Sequence, residues 1–370
     1  MTAAPVDFEC PQGRFRLRRY PSRERETLQA WNNADRLILD AVAGLQSPAA
    51  PVLVVNDDNG ALTVALSPCT LWSDSWLSVA AAKRNLERNA RAGVSFRWST
   101  EAPPRPGLVV LRVPKSLAFF EDQLGVLSER CAPGTPLLAA GLDKHLSPHT
   151  ADTIEACFGP TERHRGRLKA RLFSATRSEE APNPVPFRVD YRLPSLPFPL
   201  TSGSNVFSPE RIDRGTALLL PLLAGLKPVS NAIDLACGNG IIGLHLLQQE
   251  RASAVLFSDE SAMAIASARS NLPEEWRARA DFVHGDGVQD LEAQADLVVL
   301  NPPFHIGHVV DEYPGRRLIR QAHGALRPGG QLLLVFNNHL RYHGLLRSLF
   351  VEVTELARDR RFTVLLARRA

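Results

Sequence analysis

Short apolar runs alternate with stretches whose apolar residues recur every three or four positions, and this grammar runs through the chain twice. In the first half, Val52–Val55, Leu108–Val113 and Leu137–Gly141 have the length and branching of buried strands. Between them, Thr27–Leu45 reads as a helix, with Leu28, Trp31, Ala34, Leu37, Ile38 and Val42 on one face. Ala61–Leu66, Val79–Arg91 and Leu117–Glu129 read as further helices. In the second half the strands are Ala232–Ala236, Ala254–Ser258, Asp281–His284, Asp296–Leu300 and Gln331–Phe336, closed by Val351–Glu355 and Phe362–Leu366. The helices are Asp213–Leu226 (with Pro221 inside it), Ile241–Glu250, Ala262–Asn271, Leu318–Leu326 and His343–Phe350. Alternation of this kind predicts parallel sheets covered by helices on both faces.

Between the halves the pattern fails. Pro182, Pro184, Pro186, Pro194, Pro197 and Pro199 crowd one segment, which predicts an extended linker with room for a β-hairpin. The expected organisation is a first domain over 1–176, a linker over 177–204 and a second domain over 205–370. A length of 370 residues agrees with two domains.

The halves can be laid over each other. Asn59-Gly60 matches Asn239-Gly240, and Asp74-Ser75 with Asn85-Leu86 matches Asp259 to Ser261 with Asn271-Leu272. Val110-Leu111 before Pro114-Lys115 matches Val299-Leu300 before Pro303-Phe304, and Pro133-Gly134 matches Pro328-Gly329. Four matches in one order imply an internal duplication. The copies differ where chemistry belongs: Asp58 stands for Gly238, Val54 for Asp234, Arg112 or a residue near it for Asn301, and Lys115 for Phe304. The first copy is therefore read as degenerate, with a structural or substrate-recognition role.

In the second copy Asp234, Gly238, Gly240 and Gly243 close a strand and open a helix. Glycines permit a tight turn and close ligand approach, as in dinucleotide sites. The acid four residues before the first glycine disfavours a pyrophosphate and suits the ammonium of S-adenosylmethionine. Asp259, ending the next strand, is placed for ribose hydroxyls. Asp286, between Gly285 and Gly287, is placed for the adenine amine, with a turn aspartate as the plainer alternative.

Asn301-Pro302-Pro303-Phe304 follows a buried strand. An exocyclic amine of a planar base is a weak nucleophile, so orientation and carbonyl acceptors matter most. The Asn301 side-chain oxygen and the Pro302 carbonyl supply acceptors, the prolines fix φ, and Phe304 offers a stacking face. His305 is expected to pack or touch substrate rather than act as a base. No His or Cys spacing suggests a metal.

Composition narrows the setting. The net charge is +4, and basic residues gather at Arg14, Arg16, Arg18, Arg19, Arg23 and Arg25, and again at Arg163, Arg165, Arg167, Lys169 and Arg171. Either group is suited to RNA phosphates, with a solvated surface as the plainer reading. Five scattered cysteines imply a reducing compartment, and no secretory signal or membrane-length apolar run is seen. The expectation is a cytoplasmic monomer.

These motifs, with Asn205-Val206-Phe207-Ser208 and His305, resemble the bacterial ribosomal RNA guanine-N2 methyltransferases. The resemblance implies two tandem Rossmann-like α/β methyltransferase domains, the N-terminal one degenerate. It also implies S-adenosylmethionine as donor, and Phe207 and Ser208 over the cofactor near the target base. Leu28 to Asp35, Asn56 to Leu62, Val113-Pro114-Lys115 and Lys169 to Leu172 resemble the subgroup acting on 23S rRNA (RlmG-like) rather than 16S (RsmC-like), which makes Lys169 and Arg171 candidate RNA contacts. Two departures stand out: Ala236 where glycine is usual, and a short stretch over Leu272 to Trp276. The rivals are 16S specificity, adenine-N6 or glutamine-N5 methylation, an inactive RNA-binding or assembly protein, and an NAD oxidoreductase.

Overall fold

The structure, a computed structural model, describes residues 4–23, 26–45, 50–180, 188–289, 294–303, 305–306, 309–310 and 312–370. The chain forms two units, Met1–Phe187 and Arg188–Ala370.

The first unit begins with a hairpin of β1 (Asp7–Cys10) and β2 (Gly13–Arg16). Then follow α1 (Asn33–Ala43), β3 (Val52–Val55), α2 (Ala61–Ala65), β4 (Cys69–Ser73), α3 (Trp76–Arg88) and β5 (Val94–Trp98). It closes with β6 (Leu108–Arg112), α4 (Leu117–Arg130), β7 (Pro136–Leu142), α5 (Thr150–Cys157), β8 (Thr161–Arg163) and β9 (Ala170–Thr176). The second unit opens on another hairpin, β10 (Arg188–Tyr191) with β11 (Leu200–Gly203). It continues through α6 (Arg214–Leu223), β12 (Val229–Leu235), α7 (Ile241–Gln248), β13 (Ala252–Asp259), α8 (Ala262–Asn271), β14 (Ala280–His284) and β15 (Ala295–Leu300). A ribbon of β16 (His305–Ile306) and β17 (Val309–Val310) precedes α9 (Tyr313–Ala325), β18 (Leu326–Asn337), α10 (His343–Leu349), β19 (Glu352–Arg358) and β20 (Phe362–Arg368).

The two large sheets have one topology. Their orders are β5-β4-β3-β6-β7-β9-β8 and β14-β13-β12-β15-β18-β20-β19. In each, the first five strands are parallel and the sixth runs antiparallel to its neighbours. The central strands are buried on both faces, Val109 to Leu111 and Val298 to Leu300 being fully enclosed.

Register makes the equivalences definite. Val55 pairs with Leu111 as Leu235 pairs with Leu300, so Arg112 holds the place of Asn301 and Asp58 that of Gly238. The pairing of β3 with β4 puts Ser73, not Asp74, in the place of Asp259. Side chains repeat as well. Asn85 donates to the Asn59 carbonyl at 2.7 Å, and Asn271 to the Asn239 carbonyl at 3.0 Å. Asn85 also grips the backbone of Arg18 after the first hairpin, as Asn271 grips Thr201 of the second.

Some boundaries differ from the sequence reading. The helix expected over Thr27–Leu45 starts at Asn33, because Asn32 and Asp35 form a capping box. The stretch expected as linker, 177–204, carries the second hairpin, which belongs to the second unit. Strands β4, β5, β8 and β9 and helix α5 were not foreseen.

Candidate active site

In doubly wound sheets ligands bind at the carboxyl ends of strands where the order reverses. That point in the second unit lies between β12 and β15. Asp234 is on β12 and Asn301 follows β15, so the sheet brings the two sequence motifs to neighbouring strand ends.

The turn after β12 has an unusual backbone. Ala236 has φ 60°, Gly238 55° and Gly240 83°. A Cβ on Gly240 would stand 3.0 Å from the Ala268 Cβ, so glycine is needed there for packing as well as for φ. A Cβ on Gly238 would meet nothing within 4 Å, which leaves the backbone open to a ligand. Gly243 lets α7 approach the sheet: its Cβ would fall 2.3 Å from the Phe257 ring.

Asp234 is fully buried. Its Oδ2 accepts from the Gly243 N–H at 2.8 Å, while its buried Oδ1 accepts nothing among the described residues. Burial pushes its carboxyl up to about 8; the Gly243 N–H opposes this, and Asp259 adds to it. A buried carboxylate with an empty oxygen is a receptor for a cation. This fits the ammonium of S-adenosylmethionine.

Asp259 ends β13. Its Oδ2 accepts from the Gly238 N–H at 2.9 Å and its Oδ1 from the Ser261 N–H at 3.0 Å. Those bonds clamp the turn and set the carboxylate at the strand end. Asp286 is buried and ion-paired with Arg317, and its carbonyl accepts from Gln321 at 3.1 Å. A contact to an adenine amine would therefore use only the acceptor sites that Arg317 leaves.

Asn301 has a split environment. Its Nδ2 donates to Asp213 Oδ2 at 3.1 Å and to Thr216 Oγ1 at 3.0 Å. Asp213 is the N-cap of α6 and also accepts from the Thr216 N–H at 3.0 Å. Two acceptors at one end fix the amide orientation. The buried Oδ1 is left without a hydrogen-bond donor among the described residues, and so is free for an incoming N–H. Asp213 and Thr216 were not singled out from sequence. The signal was a cap residue followed three positions later by a threonine, which reads only as a helix start.

Pro302 is buried and Pro303 exposed. Phe304 lies outside the described residues. His305 is placed by its backbone in the β16–β17 ribbon. Phe207, in the loop between β11 and α6, is 64% exposed. Lys169 and Arg171 belong to the first unit; Lys169 has φ 59°, and Arg171 lies 3.5 Å from Asp143. Among the described residues no group of three or more His, Cys, Asp or Glu could hold a metal, and no helix is long and apolar enough to cross a membrane.

The same strand end in the first unit carries charged side chains paired with one another. Arg112 is buried in an ion pair with Asp35 and lies 3.6 Å from Asp58. Asp35 takes the place of Thr216, and Arg112 that of Asn301. The guanidinium and the Asp58 side chain stand where the second unit offers an open glycine and a free amide oxygen.

Fold and site together define a tandem methyltransferase in which the second unit keeps the open site. Residues 5–179 match the RLMG N-terminal domain and residues 198–366 the methyltransferase small domain. The chain is 39% identical to the ribosomal RNA large subunit methyltransferase G of Alcanivorax borkumensis, over 96% of this chain and 95% of that one. It is 37% identical to the protein of that name from Pseudomonas fluorescens, over 98% and 99%. The chain belongs to the ribosomal RNA large subunit methyltransferase G family. Among solved structures, the T. thermophilus 16S rRNA guanine-N2 methyltransferase (RsmC), in complex with AdoMet and guanosine, superposes with a TM-score of 0.79 at 23% identity, covering 98% of this chain and 97% of that one.

Proposed function

We propose that this protein methylates the exocyclic N2 amine of a guanine in large-subunit (23S) ribosomal RNA, with S-adenosylmethionine as donor. The observation that carries this reading is the Asn301 amide, oriented by Asp213 and Thr216 so that a buried, unsatisfied oxygen is presented at the switch point. The family relatives' names support the large-subunit RNA.

Asp234 holds the ammonium, Asp259 the ribose, and the open backbone at Gly238 lets the donor approach closely. S-adenosylmethionine supplies a methyl group on a sulfonium, an electrophile that needs no metal. The Asn301 oxygen and the Pro302 carbonyl would accept from the N2 hydrogens, drawing the nitrogen lone pair out of the ring and stabilising positive charge as the N–C bond forms and the S–C bond breaks, its electron pair staying on the departing thioether. The proton leaves after transfer, so no strong base is required. Phe304 and Phe207 offer apolar faces for the base. Asp286, paired with Arg317, holds its loop against α9 beside the place for adenine. Lys169 and Arg171 contact RNA from the first unit, and the chain acts as a monomer in the cytoplasm.

Transfer of labelled methyl to rRNA, followed by nucleoside analysis, tests this. N2-methylguanosine is the expected product; any other methylated nucleoside overturns the reading.

A further inference from the structure

The hairpin of β10 and β11 reaches the glycine-rich turn through one side chain. Asn239 lies between Gly238 and Gly240 and is buried. Its Nδ2 donates to the Tyr191 hydroxyl at 2.8 Å and to Ser202 Oγ at 3.1 Å. The amide has two N–H donors and the hairpin takes both, which fixes its orientation. From the other side, the Asn239 carbonyl accepts from Asn271 of α8 at 3.0 Å, and Asp259 accepts from the Gly238 N–H at 2.9 Å. The turn needs such holding. Ala236, Gly238 and Gly240 all have positive φ, and glycine leaves the backbone many alternatives. A ligand that binds close to a loose backbone must order it, at a cost in affinity.

The two units share only part of this arrangement. Asn85 and Asn271 grip the turn carbonyl in both, and they grip Arg18 and Thr201 at equivalent hairpin positions. The next residue is Arg19 in the first unit and Ser202 in the second. The Leu17 N–H donates to the Val6 carbonyl at 2.8 Å, which continues the first hairpin's register and puts Val6 in the place of Tyr191. Valine has no hydroxyl. A guanidinium has no acceptor, and that of Arg19 donates to the Gln29 carbonyl at 3.4 Å. The carbonyl grip therefore belongs to the scaffold of both copies. At these two places, hydroxyl acceptors stand only in the unit with the open glycine turn.

We propose that Tyr191 and Ser202 are positioning residues for the methyl donor: through the Asn239 amide they hold the turn in the shape that receives S-adenosylmethionine. This deepens the proposed function and rests on the reading that the turn holds the donor. Their contribution is to donor affinity, not to the chemical step or to RNA binding.

The test is calorimetric titration of the full chain with S-adenosylhomocysteine, with methyl-transfer kinetics beside it. Y191F/S202A removes both acceptors and is expected to bind about tenfold more weakly. Asn239→Ala should weaken binding by about the same factor, and Y191F/S202A/N239A no further, because both changes cut one connection. The KM for S-adenosylmethionine should rise in step, while kcat at saturating donor and the KM for RNA stay as in the wild type. The retained kcat shows that the variants are folded. Thr201→Val is the control: Thr201 Oγ1 donates to Asp190 Oδ1 at 2.6 Å within the same hairpin, and alternation turns it away from the Ser202 side. This variant should bind as wild type. Wild-type affinity in Y191F/S202A, losses that multiply in the triple variant, or an equal loss in Thr201→Val overturns the proposal and leaves the donor site at the turn intact. Failure of the wild type to bind S-adenosylhomocysteine overturns the reading of the turn itself.

Discussion

Asn301 Nδ2 lies 3.0 Å from Thr216 Oγ1, and in the degenerate copy the corresponding positions, Arg112 and Asp35, form a buried ion pair. One contact between strand end and helix start has thus been kept twice, once as a hydrogen bond and once as a buried charge pair.

If Thr216 and Asp213 orient the amide, removing an acceptor lets it turn. Thr216→Val keeps shape and loses the hydroxyl. Asp213→Ser keeps a helix cap and loses the reach to Asn301. Each should lower kcat by about tenfold, the scale of one orienting interaction of ~1.4 kcal/mol. S-adenosylhomocysteine affinity should not change. Asp213→Asn, which caps and accepts as before, should recover most of the rate. A Thr216→Val enzyme with wild-type kcat would remove the orienting role.

Burial pushes the Asp234 carboxyl up to about 8, so if it holds the ammonium, cofactor binding should depend on pH. A bound ammonium favours the ionised form, so binding at neutral pH expels a proton. Affinity for S-adenosylhomocysteine should rise with pH up to about 8 and level off above it. Calorimetry in buffers of different ionisation heat should show proton release, and Asp234→Asn should abolish the buffer dependence. Without ligand the sign is opposite. The native state keeps the proton longer than the unfolded chain, so this group's contribution is full below the ordinary carboxylate range and is lost as pH rises toward 8. Binding enthalpy that is equal in all buffers would contradict the assignment.

Ala236 occupies the left-handed region at φ 60°. An L-residue there costs about 1 kcal/mol. Ala236→Gly should therefore raise the melting temperature of the second unit despite the flexibility glycine adds to the unfolded chain. A lower melting temperature would show that the alanine methyl earns its place by packing.

Arg112 and Asp35 are buried together, so cutting one partner should be far worse than removing both. Arg112→Leu is expected to destabilise the first unit by about 3–5 kcal/mol, and adding Asp35→Leu should restore much of it. Four of the five tryptophans, Trp31, Trp72, Trp76 and Trp98, report on that unit in denaturant titrations followed by fluorescence. Additive losses would show that the pair is not coupled.

Much of the candidate site was legible in the sequence because its parts are local. Asp234 with its glycines, Asp259, and Asn301 with its prolines each sit beside a strand run that marks a sheet's carboxyl end. The orienting pair was not legible: Thr216 reaches Asn301 across 85 residues, and only tertiary structure joins them. Arg317 beside Asp286 escaped for the same reason, as an ordinary helix cation in the sequence. In the first unit, β4 was missed because Cys69-Thr70-Leu71-Trp72-Ser73 lacks a β-branched apolar run, although all five residues are buried. Leu28 and Trp31 fit a helical period yet precede the Asn32 cap, so periodicity alone extended α1 too far. The proline-rich segment left room for a hairpin in the sequence but gave no sign that its Tyr191 and Ser202 accept from Asn239 in the glycine-rich turn at 2.8 and 3.1 Å.

The central claim is that the second unit presents a free amide oxygen to guanine N2 in large-subunit RNA. The most direct measurement is labelled methyl transfer to separate 23S and 16S rRNA, each as naked RNA and as assembled subunit, by wild type and Asn301→Ala. The account predicts N2-methylguanosine at one site in 23S RNA with the wild type. It predicts turnover lowered by about a hundredfold or more with Asn301→Ala, at nearly unchanged S-adenosylhomocysteine affinity. Methylation confined to 16S RNA, a product other than N2-methylguanosine, or normal turnover by Asn301→Ala would contradict it.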